Sequence, residues 1–403
     1  MNTWLVITVA TIIMLIVLGL EYVIHIKNLM SIPVRIHVNG SRGKSSVTRL
    51  IAGGLREGGF KVFAKTTGTQ PRLITDKGRE LPVYRIKSKA NIIEQLKIVA
   101  FAAKNQAEVL VIECMALNPR LQAVTELNMI KSTHGVITNV RADHLDVMGP
   151  RKRDVTLALL GTIPKNGKLF TAAQDYREDF QMACQDRNSE LLVVSPAELE
   201  RISDEDMSKF AYIEHKENVA LALTVCSALN VSKDIALKGM YKATPDIGSM
   251  KEYTIDKGGE KIVFINGFAA NDIESTEKNW NNAVLRHSEK PTKIMVINTR
   301  KDRISRSQEI GQYIIQWKPA DKYIVIGEKC DVLIKIAIGQ GIADSEIINA
   351  EGLITEDIWE RIVEISEASS MVMGVGNIKD GGVNLIELVE KKAKLTGEVN
   401  VGK

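Results

Sequence analysis

The chain has 403 residues, 25% of them charged and 45% hydrophobic, which is enough apolar material for two or three packed domains and excludes a disordered or fibrous protein. Fifty-three basic against 49 acidic residues leave a formal charge of +4, too even a balance to point to nucleic acid as a partner through electrostatics. The four cysteines, Cys114, Cys184, Cys226 and Cys330, form no C-x-x-C pair, which argues against a zinc knuckle or disulfide scaffold and fits a reducing compartment.

The first twenty residues carry no ionisable side chain, and Trp4 to Leu20 is almost wholly apolar. As a helix this stretch is about 30 Å long, the hydrocarbon thickness of a bilayer, so residues 1–25 are expected to be a single transmembrane anchor. A cleaved signal peptide is the rival reading, but a basic start and an A-x-A-like cleavage site are missing. A buried core helix is the third.

Beyond Pro33, apolar runs alternate with amphipathic stretches: Val34–Val38, Val109–Ile112, Gly135–Val140, Leu191–Val194, Lys261–Ile265, Lys293–Ile297 and Lys322–Ile326. Strands separated by helix-length segments predict an α/β chain with mostly parallel sheets covered by helices. A helical pattern over Asn218–Asn230 and Asp234–Tyr241 is followed by a turn-rich break at Thr244–Ser249, which sets the expected domains at 30–248 and 252–403.

The first strand runs directly into Asn39-Gly40-Ser41-Arg42-Gly43-Lys44-Ser45-Ser46 and then the helix-like VTRLIAGGL. Strand, glycine loop and helix in that order form a phosphate site, because glycines let backbone N–H groups close round an anion at the positive helix end. Lys44 is expected to reach the β- and γ-phosphates and Ser45 to place its hydroxyl on a magnesium ion. The bland alternative is an ordinary βα turn rich in Gly and Ser. The loop reads G-x-x-G-K-S, two residues shorter than the common G-x-x-x-x-G-K-[ST].

Two further strands deliver polar groups to the carboxyl edge of a parallel sheet, where ligands bind. One ends in Glu113, a candidate magnesium ligand or a mere helix cap. The other runs into Arg141-Ala142-Asp143-His144-Leu145-Asp146, in which His144 is a candidate ligand or a solvated loop histidine. Cys114 has no histidine near it in sequence and reads as a small buried residue. No H-x-x-x-H or H-E-x-x-H spacing occurs, so a zinc enzyme is not expected.

These residues resemble the Mur ligase superfamily, ATP-dependent enzymes that join a carboxylate to an amine. The short loop Gly40–Ser45, the strand-end Glu113 and the pattern Asn139/Asp143/His144/Asp146 carry the likeness. NGSRGKSSVTRL, KTTGT, ECMALNP, DHLDVMGP, FINGFAANDIEST and GVGNI extend it, with the anchor, to the family of membrane-linked poly-γ-glutamate synthase subunits. The resemblance implies an N-terminal transmembrane helix, a P-loop central ATPase domain and a smaller α/β C-terminal domain. It also implies that Gly40, Ser41, Arg42, Gly43, Lys44, Ser45 and Ser46 bind ATP phosphates and that Ser45, Glu113 and His144 hold magnesium, with Lys44, Glu113 and His144 as catalytic residues. Asn218 matches an asparagine that contacts adenine, Asn271 lies in a hinge segment that helps hold nucleotide, and Thr67 and Thr69 belong to a segment approaching the γ-phosphate. The region LALLGTIP holds no lysine where many Mur ligases carry a carbamylated one, and Gly248-Ser249 replaces a G-R pair. About thirty residues precede the first strand, too few for the domain that binds a uridine-diphosphate sugar in the peptidoglycan enzymes.

The expected activity is ATP-dependent polymerisation of glutamate through γ-linked amides by way of an acyl phosphate, giving ADP and phosphate. The expected setting is the cell membrane, with the catalytic domains cytoplasmic and other synthase subunits as partners. Arg300, Arg303 and Arg306, with Lys301, follow the strand Lys293–Ile297 and are candidate contacts for the acidic substrate, unless they are only a solvated charge run; Asp302 in the same loop is a candidate to orient the incoming amine, unless it only pairs with an arginine at the surface. Alternatives are a folylpolyglutamate- or cell-wall-type amino-acid ligase, a membrane-tethered regulatory NTPase, and a tethered nucleotide-binding module without catalysis. Asp146-Val147-Met148-Gly149 fits the D-x-x-G of GTPases, but no N-K-x-D motif accompanies it.

Overall fold

Three short runs, VRIHVN, VFAKT and VLVIE, are buried almost throughout, the pattern of strands covered by helices on both faces. They are the centre of the first of two compact units in the computed structural model, which describes residues 3–68, 71–85, 90–245, 250–257, 260–270, 272–366 and 369–395. The first unit takes Met1–Ser203 and His215–Thr244, and the second Asp204–Glu214 and Pro245–Lys403.

In the first unit α1 (Thr3–Met30) leads to β1 (Val34–Asn39), α2 (Lys44–Glu57), β2 (Val62–Thr66), β3 (Arg72–Ile74), β4 (Glu80–Pro82), α3 (Glu94–Lys104), β5 (Val109–Glu113), β6 (His134–Ile137), β7 (Lys168–Thr171) and β8 (Glu190–Val193). The sheet order is β4-β3-β2-β5-β1-β6-β7-β8. The six strands from β2 to β8 in that order are parallel, and β3 and β4 add an antiparallel edge. The carboxyl ends of β1, β5 and β6 therefore meet at one edge, and the connection from β1 to α2 lies between the other two. The sequence places the third strand over Gly135–Val140, but β6 stops at Ile137. Beyond it, Thr138 and Asn139 turn their hydrogen bonds onto the loop after β1.

The apolar N-terminal helix is longer than the expected 1–25 and has two parts. From Trp4 to Ile24 its large side chains are exposed, so it is not a core helix of this chain, and it is long and apolar enough to cross a membrane. Its last turn is buried at Leu29, which joins Ile32, Phe63, Ile98 and Leu110 in one core cluster. The buried guanidinium of Arg35 closes this end: Nη1 donates to the carbonyls of Leu29 (3.2 Å) and Ile32 (2.7 Å), and Nε donates to those of Ile130 (3.2 Å) and Lys131 (2.9 Å). Helix-end carbonyls that lack intrahelical partners are thereby tied to the body of the unit.

The second unit holds β9 (Glu252–Lys257), β10 (Glu260–Asn266), β11 (Thr292–Thr299), β12 (Lys322–Gly327), β13 (Ile347–Asn349) and β14 (Ser369–Gly376), in the order β13-β12-β11-β14-β10-β9. Among the described strands of this sheet, β9 alone pairs antiparallel. Alternate residues enter opposite cores: Ile265 and Ile297 pack with Trp280, whereas Phe264 and Val296 pack with Trp359, as the two-residue strand period requires.

His37, fully buried on β1, lies 2.8 Å through Nδ1 from Glu126 Oε2. The other oxygen of Glu126 accepts from Ser132 N and Oγ, both at 2.8 Å. Burial alone lowers the pKa of His37, but the adjacent Cys114 thiol and the Glu126 carboxylate outweigh it and raise the value to about 9. A folded pKa above the unfolded one means stability that is complete below about pH 6.5 and lost as pH rises through about 9. Urea unfolding of the full chain in detergent should show a loss on the order of 3 kcal/mol across that window, and Glu126→Gln should flatten the slope. An unchanged slope in Glu126→Gln would contradict the pairing.

Candidate functional site

The loop after β1 keeps its shape because it is sewn onto the segment after β6. Ser41 N donates to Asn139 O (3.1 Å), Arg42 N to Asn139 Oδ1 (3.1 Å), and Thr138 Oγ1 (2.5 Å) and Asn139 Nδ2 (3.1 Å) both donate to Arg42 O. Ser41 Oγ donates to Arg141 O (3.2 Å) and accepts from Arg141 N (3.0 Å). Below the loop, Asn39 Nδ2 donates to Gln122 Oε1 (2.8 Å) and Thr162 Oγ1 (3.2 Å).

Two glycines are required here by geometry. Gly40 has φ +130° and a Cβ there would collide with Thr138; Gly43 has φ +77° and its Cβ would lie 2.7 Å from Asn218 Oδ1. Gly43 is the N-cap of α2, with no side-chain cap and no acidic residue in the first turn. The positive end of α2 is thus left for an anion from outside the helix. Lys44, at the first helical position, folds back so that Nζ donates to Gly40 O (2.6 Å) and Ser41 O (3.4 Å). Ser46 follows in the same half-buried first turn.

Glu113, at the end of β5, is only 2% exposed. Its Oε2 accepts from Ser45 Oγ (2.9 Å) and from Thr67 N (2.6 Å), and its backbone carbonyl accepts from Gln95 Nε2 (3.1 Å). A hydroxyl and a carboxylate oxygen side by side at the phosphate end of a helix are hard oxygen donors of the kind magnesium takes, so Ser45 and Glu113 fit that ion.

Beside this pair is a cluster that the sequence did not reveal. Lys65, near the end of β2, is 0% exposed and lies 2.5 Å from Glu94 Oε1, which also receives Arg85 Nη2 at 2.8 Å. Burial pushes the Lys65 ammonium below its ordinary pKa, and the Glu94 and Glu113 carboxylates act against that. For Glu94, burial works to raise the pKa, but Arg85 and Lys65 hold it below the usual carboxylate value. The one clue in the sequence is a lysine inside the otherwise apolar run VFAKT.

His144 is placed at the same strand edge on a left-handed turn (φ +49°) at the start of the helix Leu145–Met148. Its Nε2 is 3.8 Å from Asp143 Oδ1, and that oxygen takes Arg42 Nη2 at 3.0 Å, so His144 joins the loop through Asp143. No group of three or more His, Cys, Asp or Glu side chains able to hold a metal occurs among the described residues. Asn218, in the helix Lys216–Ala228, is buried against Gly43. Cys114 is buried as the sequence suggested, and the structure supplies the neighbouring histidine, His37, that sequence distance concealed.

The positions Thr69 and Asn271, and the Gly248-Ser249 turn, lie outside the described residues. In the second unit, the basic run after β11 is largely ion-paired. Arg300 meets Asp302 (2.7 Å) and Asp380 (3.9 Å), Lys301 meets Glu328 (2.7 Å), and Arg306 Nη2 donates to Ala270 O. Arg303 is the N-cap of the helix Ile304–Tyr313.

The fold and the glycine loop define an ATP-dependent amide ligase of the Mur ligase superfamily: residues 38–244 match the Mur ligase middle domain. Residues 252–392 match the poly-gamma-glutamate synthase CapB C-terminal domain. The chain belongs to the CapB family of poly-γ-glutamate synthases. It is 35% identical over 389 residues to the PGA synthase CapB of Bacillus subtilis (strain 168), covering 96% of this chain and 98% of that one. It is 38% identical over 368 residues to the capsule biosynthesis protein CapB of Bacillus anthracis, covering 91% and 78%. Among solved structures, E. coli FolC in complex with ADP, without folate substrate, has a TM-score of 0.68 at 14% identity and covers 93% of each chain, a likeness of fold.

The loop geometry makes a direct prediction. Gly43→Ala combines an unfavourable left-handed backbone with a clash against Asn218, together about 1–3 kcal/mol. Titration with a fluorescent ATP analogue should show affinity at least about five-fold weaker. Adding Asn218→Ala should recover it only in part, since the clash goes and the backbone strain stays. Full affinity in Gly43→Ala would mean that this loop conformation is not the one that binds nucleotide.

Proposed function

We propose that the chain polymerises glutamate through γ-linked amide bonds, using ATP held by residues 40–46 to activate a carboxylate as an acyl phosphate. The observation that carries this is the uncapped start of α2, with Lys44 and Ser45 in its first turn and Glu113 paired to Ser45. The names of the relatives supply the substrate. First-turn N–H groups and the Lys44 ammonium receive the β- and γ-phosphates and spread the charge that develops as the γ-phosphoryl group moves. A carboxylate of the growing chain attacks that phosphorus and ADP leaves. The amine of the next glutamate then attacks the acyl carbon, phosphate leaves, and the amine proton passes to solvent.

Ser45 and Glu113, with His144 at the same edge, would hold magnesium, which when bound offsets part of the triphosphate charge. Thr67 and Thr69 belong to the segment assigned to the γ-phosphate side, and Asn218 and Asn271 are assigned to nucleotide. Arg300, Arg303 and Arg306 are assigned to the acidic substrate, Arg300 exchanging its present carboxylate partners for those of glutamate, and Asp302 is assigned to the incoming amine. The helix α1 anchors the chain in the cell membrane by a single pass, with the ATP-using units on the cytoplasmic side, where it works with other membrane subunits of the synthase.

Membranes carrying the full chain and its neighbouring subunits, given ATP and labelled glutamate, should form γ-linked polymer and ADP together. Lys44→Ala should lower both by about 100-fold or more. Glu113→Gln should lower the rate and raise the magnesium concentration needed for half-maximal activity. Polymer made at the normal rate by Lys44→Ala, or made with no ADP, would contradict the reading.

A further inference from the structure

Arg49 and Arg56, seven residues apart on α2 and therefore on one helix face, border a partly enclosed cavity of about 30 Å³. The β3–β4 hairpin contributes Gly78 and Glu80 to its wall, and the segment after the helix Lys233–Tyr241 contributes Lys242 and Thr244. Arg49 is 4% exposed. Its Nη1 and Nη2 both reach the Glu80 carboxylate and Nη1 also donates to Thr244 O (3.1 Å), but Nε, though buried, has no acceptor among the described residues. Arg56 Nε and Nη2 are likewise buried without an acceptor among those residues.

Three buried guanidinium donors on two residues that line this space thus have no acceptor among the described residues, an arrangement that native proteins fill. Charge narrows the choice of occupant. Glu80 is shared between Arg49 and Arg72 (4.0 Å), and Glu57 between Lys238 (3.1 Å) and Lys242 (2.7 Å). Asp76 acts on Arg56 from the hairpin, while burial pulls the Arg56 guanidinium below its ordinary pKa. Of the side chains that line the cavity, three are cationic, Arg49, Arg56 and Lys242, and one, Glu80, is a carboxylate. A water satisfies the N–H groups, whereas an anion also offsets the charge of the partly buried Arg56 guanidinium.

We propose that this cavity binds one small monovalent anion, chloride or a single carboxylate group, between the guanidinium groups of Arg49 and Arg56 with Lys242 at the rim. Because Arg49 also holds Thr244 O, the last carbonyl of the first unit before Pro245, the occupant braces α2, the hairpin and the exit of the chain together.

The test is thermal unfolding of the full chain in detergent at constant ionic strength, with methanesulfonate, a bulkier and weakly coordinating anion, replaced stepwise by chloride or by acetate. The melting temperature should rise saturably by about 2–4 °C with at least one of the two. A rise with chloride alone identifies a monatomic anion, and a rise with acetate identifies a carboxylate. Arg56→Gln should abolish the rise, and Lys242→Gln, at an exposed position, should shift its midpoint to several-fold higher anion concentration. Wild-type melting that ignores both anions would show that water fills the cavity and overturn the proposal. So would a rise that persists unchanged in both variants.

Discussion

A carboxylate buried to 2% exposure has to be balanced by its immediate neighbours, and the balance struck at Glu113 organises the first unit. Taking such a group out of water costs several kcal/mol unless hydrogen bonds and opposite charge replace the solvent. Here the Ser45 hydroxyl and the Thr67 amide supply the hydrogen bonds and the buried Lys65 supplies the field. Each comes from a different element: the start of α2, the segment after β2, and β2 itself. The start of the phosphate helix is thus held against two strands of the sheet through one carboxylate. The requirement propagates, since Lys65 is itself buried and needs Glu94, and Glu94 is steadied by Arg85.

The same constraint explains why the loop between β1 and α2 can stay open to a ligand. A helix start that is neither capped by a side chain nor followed by a carboxylate would be costly if its donors were sealed from water without partners. In this chain the loop carbonyl of Arg42 is used up by Thr138 and Asn139, and Lys44 occupies the carbonyls of Gly40 and Ser41. The acceptors are engaged, while the N–H end of the helix is directed to the strand edge where Glu113 and His144 also stand. That polarity suits a triphosphate and its metal counter-ion.

What the sequence made legible is local. Gly40, Gly43, Lys44 and Ser45 lie within six positions, and their chemistry follows from a strand on one side and a helix on the other. Glu113 was readable because a polar residue ending an apolar run VLVI must emerge at a strand edge. What stayed hidden is non-local. The ammonium of Lys65 finds Glu94 29 positions away, the amide of Asn218 closes over Gly43 from 175 positions away, and Cys114 meets His37 across adjacent strands. Short edge strands such as β3 and β4, three residues each, carry too little periodicity to be seen. The strand β14, SSMVMGVG, was missed because its glycines and serines dilute the apolar signal, although it is buried nearly throughout.

The central claim is that residues 40–46, steadied by Glu113, are the place where triphosphate binds. A crystal structure of the full chain with a non-hydrolysable ATP analogue and magnesium tests it most directly. The account predicts the β- and γ-phosphates within hydrogen-bond distance of the backbone nitrogens of residues 43–46 and of Lys44 Nζ, with the ion on Ser45 and Glu113. Nucleotide bound elsewhere, with this loop unchanged and Lys44 still on Gly40 O, would contradict it.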